Sequence, residues 1–320
     1  MNNRCSRVFF TQFLIILMSC LVISCRQSPD ILSPISPSLF TGVLVLNSDK
    51  SIDKYTTIQQ AFISELDMQT MEIDFSGQVL NSRTLAKKLS KFQPSLIYVI
   101  GSKAYTQATQ IIKDQPLVFS SMINWRRFEI GAHTYGISLE LPIEMQLFMY
   151  SYLFPEIKNL GVLYSETHNS QWFELAVVKA KEVQLSLHGQ TIKNVREISK
   201  ALKTLLPKID ALWLISDPVV LYDTNQVQKI FAKAATHQKP IFAYNTLFTK
   251  YGAVLTMAAD IPTMGRQAAG LARDLLKQQG FDEKVQFPAG SHVTLNLKKV
   301  HEYGITLNHE ALASVENIIQ

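Results

Sequence analysis

The chain has 320 residues, of which 47% are hydrophobic and 18% are charged, with 31 Lys+Arg against 26 Asp+Glu. This length fits two domains of ordinary size or one large one, and the apolar fraction excludes a wholly disordered chain. The net charge of +5 is modest and no run of five or more like charges occurs, so nothing supports a nucleic-acid-binding protein.

The first 24 residues have the pattern of a secretory signal. Arg4 and Arg7 precede a mostly apolar run, residues 8–23, which is too short and too polar for a membrane-spanning helix. The sequence Val-Ile-Ser-Cys at residues 22–25 resembles the bacterial lipobox. We therefore predict that cleavage leaves Cys25 as a lipidated N-terminus. The alternative is an ordinary signal peptide that happens to end in cysteine.

Cys25 is the only cysteine that the mature chain keeps, because Cys5 and Cys20 lie in the removed segment. This predicts no disulfide, no thiolate metal site and no cysteine nucleophile. Residues 25–40 are rich in proline and serine and predict a flexible tether. A lipid anchor followed by a tether would hold the body of the protein at a membrane surface.

From residue 41 onward, short apolar runs alternate with amphipathic segments, as in buried parallel strands joined by helices. The predicted strands are residues 42–46, 71–75, 95–100, 116–120, 160–164, 185–192, 211–215 and 240–244, with strand-like crossings at 134–139 and 253–257. The predicted helices are residues 82–92, 172–183 and 261–279. Two series of four strands predict an α/β protein with two similar lobes, between which the chain passes more than once.

Enzyme signatures are missing from the sequence. It contains no G-x-G-x-x-G after a strand, no G-x-x-x-x-G-K-[ST] and no G-x-S-x-G. His309-Glu310 lacks the second histidine of a zinc-protease helix, and the seven histidines show no ligand spacing. We therefore expect no catalytic site, no cofactor and no metal.

Several segments, in order, resemble those of one known family. They are residues 136–147 (GISLELPIEMQL), 155–165 (PEIKNLGVLYS), the Asn169-Ser170 pair that opens a helix, 209–217 (IDALWLISD), 239–243 (KPIFA), 251–253 (YGA) and 265–269 (GRQAA). The family is that of ABC-transporter substrate-binding proteins, whose bacterial lipoprotein members bind aromatic or other amino-acid-like ligands. The resemblance covers roughly residues 116–306.

The resemblance implies a fold similar to type I periplasmic binding proteins, with two doubly wound parallel-sheet lobes joined by a hinge of three crossings. We expect lobe one at residues 41–122 plus 256–285 and lobe two at 123–255 plus 286–320. The crossings are expected near residues 120–140, 249–258 and 280–293.

Lobe one departs from the family pattern. The family has Asp-Pro after the strand that ends near Phe119, whereas this chain has SSMINW at residues 120–125. The family also carries a Gln and a Glu-His pair after its first strand, where this chain has NSDK at residues 47–50. The loop at 164–170 is about one residue shorter than usual. Only the lobe-two half of the site resembles the family.

Ligands of doubly wound lobes bind beyond the carboxyl ends of the strands, near helix N-termini. This rule nominates Asn47, Ser48, Gly101, Ser102, Ser120 and Ser121 from lobe one, and Tyr164, Ser165, Asn169, Ser170, Asp217, Tyr244 and Asn245 from lobe two. We predict that Asn169 and Ser170 hold a ligand carboxylate and that Asp217 binds an ammonium group.

Each of these roles has a structural alternative. Asn169 and Ser170 can simply cap a helix, Asp217 can be a turn residue, and the two tyrosines can be ordinary packing residues. Trp125 and Trp213 are expected to be packing residues. Arg126 and Arg127 are expected to lie on a solvated face or to contact a transporter.

The sequence thus predicts a lipid-anchored, extracytoplasmic solute-binding protein of an ABC importer, acting as a monomer and delivering a small ligand to a membrane permease. One alternative keeps the binding body but has it present the bound state to a membrane sensor. The other is an extracytoplasmic enzyme with an unrecognised site.

Overall fold

The computed structural model describes residues 42–320 except Lys91 and Lys113. The predicted signal, the lipidation site Cys25 and the tether lie outside the described residues. No helix in the described part of the chain has the length and apolar character that a membrane span requires.

The described residues form two sheets with helices. The strands are β1 (Val43–Asn47), β2 (Thr70–Asp74), β3 (Leu96–Ile100), β4 (Leu117–Ser120), β5 (Thr134–Ile137), β6 (Asn159–Ser165), β7 (Ser186–Ile192), β8 (Ala211–Leu214), β9 (Ile241–Ala243), β10 (Leu255–Ala259), β11 (Val285–Gln286), β12 (Ser291–Asn296) and β13 (Asn317–Ile319). The α-helices are α1 (Asp53–Leu66), α2 (Ser82–Leu89), α3 (Ser102–Ile111), α4 (Ile143–Leu153), α5 (Glu166–Glu182), α6 (Ile198–Leu205), α7 (Thr224–Thr236), α8 (Ile261–Leu276) and α9 (Leu297–Tyr303).

The first sheet has the strand order β11-β5-β4-β3-β1-β2, and all its pairs are parallel. The second has the order β13-β12-β10-β9-β8-β6-β7, parallel except where β12 runs antiparallel to β10. The strand β1 is buried throughout because its continuous apolar run is covered on both faces. The predicted α/β fold with two mainly parallel lobes is confirmed.

In each sheet the winding reverses next to its first strand. The reversal lies between β1 and β3 in the first sheet and between β6 and β8 in the second. Connections leave neighbouring strands in opposite directions at such a point, which opens a crevice at the carboxyl ends of the strands. The fold therefore places one candidate crevice on each lobe.

The chain passes between the sheets three times, at residues 138–142, at Asp260 and at residues 287–290. Two sheet memberships differ from the expected lobe boundaries. Strand β5 belongs to the first sheet because it pairs with β4, although residue 123 was expected to begin lobe two. Strand β10 belongs to the second sheet because it pairs with β9, although lobe one was expected to resume at residue 256.

Helix α8 returns to the first lobe and packs closely on α1. A Cβ on Gly265 would lie 2.6 Å from the carbonyl oxygen of Ile58 and 2.7 Å from the Cβ of Ala61, so only glycine permits this approach. Asp260 caps the helix by accepting a hydrogen bond of 2.7 Å from the backbone N–H of Thr263. The close contact fixes the end of the second crossing to lobe one.

Candidate functional site: a cleft between the lobes

A cleft of about 430 Å³ lies between the two lobes, a volume in the range of small-molecule sites. Its lining comes from segments that follow the strands of both sheets. Lobe one contributes Ser48, Asp49, Gly77, Ser102, Lys103 and Arg127 among others, and lobe two contributes Ser216, Asp217, Leu221, Tyr222 and Tyr244. Four predicted site residues, Ser48, Ser102, Asp217 and Tyr244, are therefore brought together here.

A tight turn at Gly101 shapes the lobe-one side of the cleft. Gly101 has φ +83° and ψ 160°, a conformation open essentially to glycine alone. A Cβ there would lie 2.7 Å from Ser48 Oγ and 2.9 Å from the Tyr55 ring. The Ser48 hydroxyl donates to the carbonyl of Ile100 (2.7 Å) and accepts from the N–H of Ala104 (3.0 Å). This packing starts α3 directly at the cleft.

The lobe-one side carries charges of both signs. Lys103 lies in the first turn of α3 and donates to the carbonyl of Gly77 at 2.7 Å. Arg127 lies over the Phe128 ring at 4.6 Å, and partial burial lowers its pKa. Asp49 accepts from the N–H and hydroxyl of Ser51. A helix N-terminus together with a lysine suits an anion, and Asp49 suits a cation.

Asp217 anchors the lobe-two side. Its Oδ2 accepts from Ser165 N–H, Ser165 Oγ and Asn169 Nδ2, each at 2.7 Å. Its Oδ1 accepts from the N–H groups of Val219 (2.9 Å) and Val220 (3.0 Å). A carboxylate offers about four lone-pair positions, so these donors occupy both oxygens. Asp217, which was predicted to bind an ammonium group, therefore uses both oxygens to hold the loop after β8 against β6.

Helix α5 begins six residues before the predicted start at residue 172. Asn169 and Ser170 therefore lie inside the helix, where the Ser170 hydroxyl donates to the carbonyl of Glu166 at 2.7 Å. Thr, His, Asn and Ser are weak helix formers, which is why this stretch resembled a loop. The expectation that this pair opens the helix is therefore wrong, whereas its contact with a ligand carboxylate stays a prediction.

A small cavity of about 30 Å³ adjoins the cleft and shares Ser216 and Tyr244 with it. Its other lining residues include Asn124, Glu140, Trp172 and Trp213. Burial, supplemented by the carboxylates of Glu140 and Asp217, raises the pKa of Tyr244 to about 12. Tyr244 is therefore a neutral phenol at physiological pH, placed between the two spaces.

A largely buried ion pair borders the small cavity. Arg126 Nη1 donates to Glu140 Oε2 at 2.8 Å, and the N–H of Asn124 donates to Glu140 Oε1 at 2.8 Å. Burial raises the pKa of Glu140, and Arg126 opposes that rise. Arg126 was expected on a solvated face, but 28% of its side chain is exposed and its guanidinium is paired. Arg127 is exposed, in line with that expectation.

Asn124 links the lobes on the same side. Its amide Nδ2 donates to the carbonyl of His168 and to Oδ1 of Asn169, both at 3.2 Å. Asn124 follows β4 of the first sheet, whereas the other two residues belong to α5. These bonds hold the first lobe to the second beside the crossing at 138–142.

Three predicted lobe-one residues do not line the cleft, and two of them are hydrogen-bonded within their own lobe. Asn47 donates to Gln59 Oε1 at 2.7 Å. The Ser120 hydroxyl is 2.5 Å from the Tyr98 hydroxyl. Ser121 is fully buried, and its hydroxyl has no hydrogen-bond partner among the described residues. The rule that ligands bind beyond the carboxyl ends of the strands therefore located the correct edge of the sheet, but not the direction in which each side chain points.

Two predicted lobe-two residues have packing or capping contacts. Tyr164 stacks on Phe173 with ring centroids 4.5 Å apart. Asn245 caps the 3₁₀ turn Thr246–Tyr251 by accepting from the N–H of Leu247 at 2.8 Å. Trp213 is buried in the core as expected, yet its side chain also lines the small cavity.

Five further residues line the cleft or the small cavity and were not predicted from the sequence: Asp49, Lys103, Asn124, Glu140 and Tyr222. Asp49 and Lys103 each follow a predicted strand end by three positions, so the same rule, extended slightly, finds them. The other three reach the site through contacts distant in sequence. Among the described residues, no group of three or more His, Cys, Asp or Glu side chains is arranged to hold a metal ion.

Residues 42–319 match the model of a protein family described as ABC transporter substrate binding protein. A curated relative, the "Tyrosine-binding protein" of Clostridioides difficile strain R20291, is 24% identical over 254 residues, which cover 74% of this chain and 72% of the relative.

Two solved structures are similar to this chain in fold. One is an ABC domain from Streptococcus pneumoniae in complex with L-Trp, with a TM-score of 0.62, 21% identity and coverage of 87% of this chain and 100% of that one. The other is the ligand-free, open structure of a substrate-binding protein with adhesive properties from Clostridium difficile. Its TM-score is 0.65, at 17% identity, and the match covers 88% of this chain and 98% of that one.

The matched family consists of solute-binding proteins and not of enzymes, which confirms the expected non-enzymatic role.

Proposed function

The chain belongs to the ABC transporter substrate-binding protein family, and we propose that it binds a small amino-acid-like or carboxylate ligand in the cleft for an ABC importer. The main support is the chemistry of the cleft, which offers Lys103 and Arg127 to an anionic group and Asp49 to a cationic one. The relative named for tyrosine and the similar structure that holds L-Trp support the same ligand class.

We place the ligand carboxylate at lobe one and not at Asn169 and Ser170. The first turn of α3 presents backbone N–H groups at the cleft, with Lys103 beside them. In lobe two, the first turn of α5 carries Glu166, whose charge disfavours an anion. The ammonium end then faces Asp49.

We infer that the lobes close over the ligand by a hinge motion. The three crossings are short, and apolar side chains stand exposed on both sides of the opening. Ile52 of lobe one is 40% exposed, Tyr222 of lobe two is 69% exposed, and both line the cleft. Closure that buries such surface is favourable, and domain closure around a ligand is a known mode of hinge motion.

Ligand binding is expected to stabilise the purified mature protein against unfolding. At 100 times its dissociation constant, a ligand that binds only the folded state adds about 2.7 kcal/mol. Thermal unfolding and calorimetry with the twenty amino acids, tyrosine and tryptophan first, measure this, with a neutral sugar as the control. If no amino acid or carboxylate stabilises the protein, the proposed ligand class is wrong.

We also propose that Cys25 anchors the protein to the membrane outside the cytoplasm, where substrate-binding proteins of ABC transporters act. Cys25→Ser is expected to leave the protein unprocessed or to move it to the aqueous fraction, because the thiol that takes the lipid is lost. Membrane fractionation and mass spectrometry measure this. An unchanged mass and membrane partition would exclude the anchor.

A further inference from the structure

Two buried polar atoms of the second lobe lack a hydrogen-bond partner among the described residues. They are Nε1 of Trp213 and Oγ of Ser216, of which the Ser216 hydroxyl still lies near enough to the Tyr244 phenol to lower its pKa. Both side chains line the small cavity, and Trp213 is 1% exposed. A buried polar atom without a partner is unfavourable, so such groups in a native fold normally meet a water or a ligand.

The chemistry of the small cavity defines which group fits it. The indole N–H only donates, whereas the Ser216 hydroxyl donates or accepts. The charges beside them are already paired, because Glu140 accepts from Arg126 and from the backbone of Asn124. The cavity therefore offers partners to a neutral group that both accepts and donates a hydrogen bond.

The size and position of the small cavity limit that group further. A volume of about 30 Å³ holds one or two atoms of water size, and not an aromatic ring. Ser216 and Tyr244 line both the cavity and the cleft, so an atom entering the cavity can belong to a ligand whose body lies in the cleft.

Resting on the proposed function, we propose that Trp213 and Ser216 form a specificity pocket for a hydroxyl group at the end of the ligand's side chain. The ligand hydroxyl accepts from Trp213 Nε1 and hydrogen-bonds the Ser216 hydroxyl. An analogue without the hydroxyl leaves the buried Trp213 N–H without an acceptor, and a site with an unpaired polar group of this kind discriminates strongly between similar ligands.

Titration calorimetry with two pairs of ligands tests this, L-tyrosine against L-phenylalanine and L-threonine against L-valine. In the pair that binds, the hydroxyl member is expected to bind about tenfold or more tightly. If the two members of a pair bind with equal affinity, the inference is overturned, since the small cavity then holds only water and no ligand hydroxyl. Binding confined to amino acids outside these pairs would also overturn it. If nothing binds, the proposed function falls and this inference with it.

Trp213→Phe keeps an aromatic ring and removes the N–H, so the preference for the hydroxyl ligand is expected to shrink to within about threefold. Trp125→Phe is the matched control, because Trp125 Nε1 also lacks a partner but does not line the small cavity. It is expected to keep the full preference. Ser216→Ala provides a second test if Trp213→Phe does not fold. If Trp213→Phe or Ser216→Ala folds and keeps the full preference for the hydroxyl ligand, the assignment of these two residues to a hydroxyl pocket is contradicted.

Discussion

Asp217→Ala is expected to destabilise the protein by about 3–5 kcal/mol. The substitution removes the acceptor of five hydrogen bonds, from Ser165, Asn169, Val219 and Val220, in a place where the side chain is 1% exposed. Each stranded buried donor costs about 1–3 kcal/mol, and water entering the space offsets part of the sum. Urea denaturation followed by circular dichroism measures the loss.

Asp223→Ala is the matched control for this prediction. Asp223 is exposed and caps α7 by accepting one bond of 2.7 Å from the N–H of Gln226. Losing a cap of this kind costs about 1 kcal/mol. If Asp217→Ala were as stable as the wild type but no longer bound ligand, the carboxylate would be a ligand contact and not the anchor described above.

Arg126→Met is expected to cost about 2–4 kcal/mol at pH 7, allowing for partial exposure, because Glu140 then remains largely buried without its cation. Burial already raises the folded-state pKa of Glu140 above its unfolded value. Such a carboxyl favours folding when protonated, and that contribution is lost as pH rises from the unfolded through the folded pKa. Removing Arg126 raises the folded pKa further, so the loss extends to higher pH.

The pH dependence distinguishes this cause from a packing defect. Thermal unfolding between pH 5 and pH 7 is expected to show Arg126→Met gaining more stability on acidification than the wild type. The double variant with Glu140→Gln is expected to lose that difference, because glutamine does not titrate. A stability deficit in Arg126→Met that is the same at both pH values would mean that the guanidinium acts through packing alone.

The strands from β1 to β10 could be predicted from the sequence within two residues at each end. Strands buried on both faces need continuous apolar runs, and that requirement is local. Strands β11, β12 and β13 were missed. Strand β11 has only two residues, β12 pairs antiparallel with β10, and β13 is an exposed edge strand beside β12. Their pairing depends on partners distant along the chain, not on a local pattern.

The site was predictable only in part. The strand-end rule located Ser48, Ser102 and Tyr244 at the cleft, because parallel strands all end at the same edge. It did not show that Asn169 and Asp217 bond to each other at 2.7 Å, nor that Arg126 pairs with Glu140. These pairings join residues 14 and 48 positions apart and exist only once the lobes are assembled.

Closure of the two lobes on a small ligand is tested most directly by the distance between Val79 and Thr167. Both are exposed and line one space, Val79 from lobe one and Thr167 from α5, and this space shares Ser102, Lys103 and Arg127 with the cleft. The three cysteines of the chain all precede residue 26, so Val79→Cys with Thr167→Cys labels the mature body at these two positions once Cys25 is lipidated or replaced. Electron–electron resonance between spin labels is expected to give a shorter and narrower distance distribution when a stabilising amino acid is added, and no change with a neutral sugar. An unchanged distribution with the amino acid bound would contradict hinge closure.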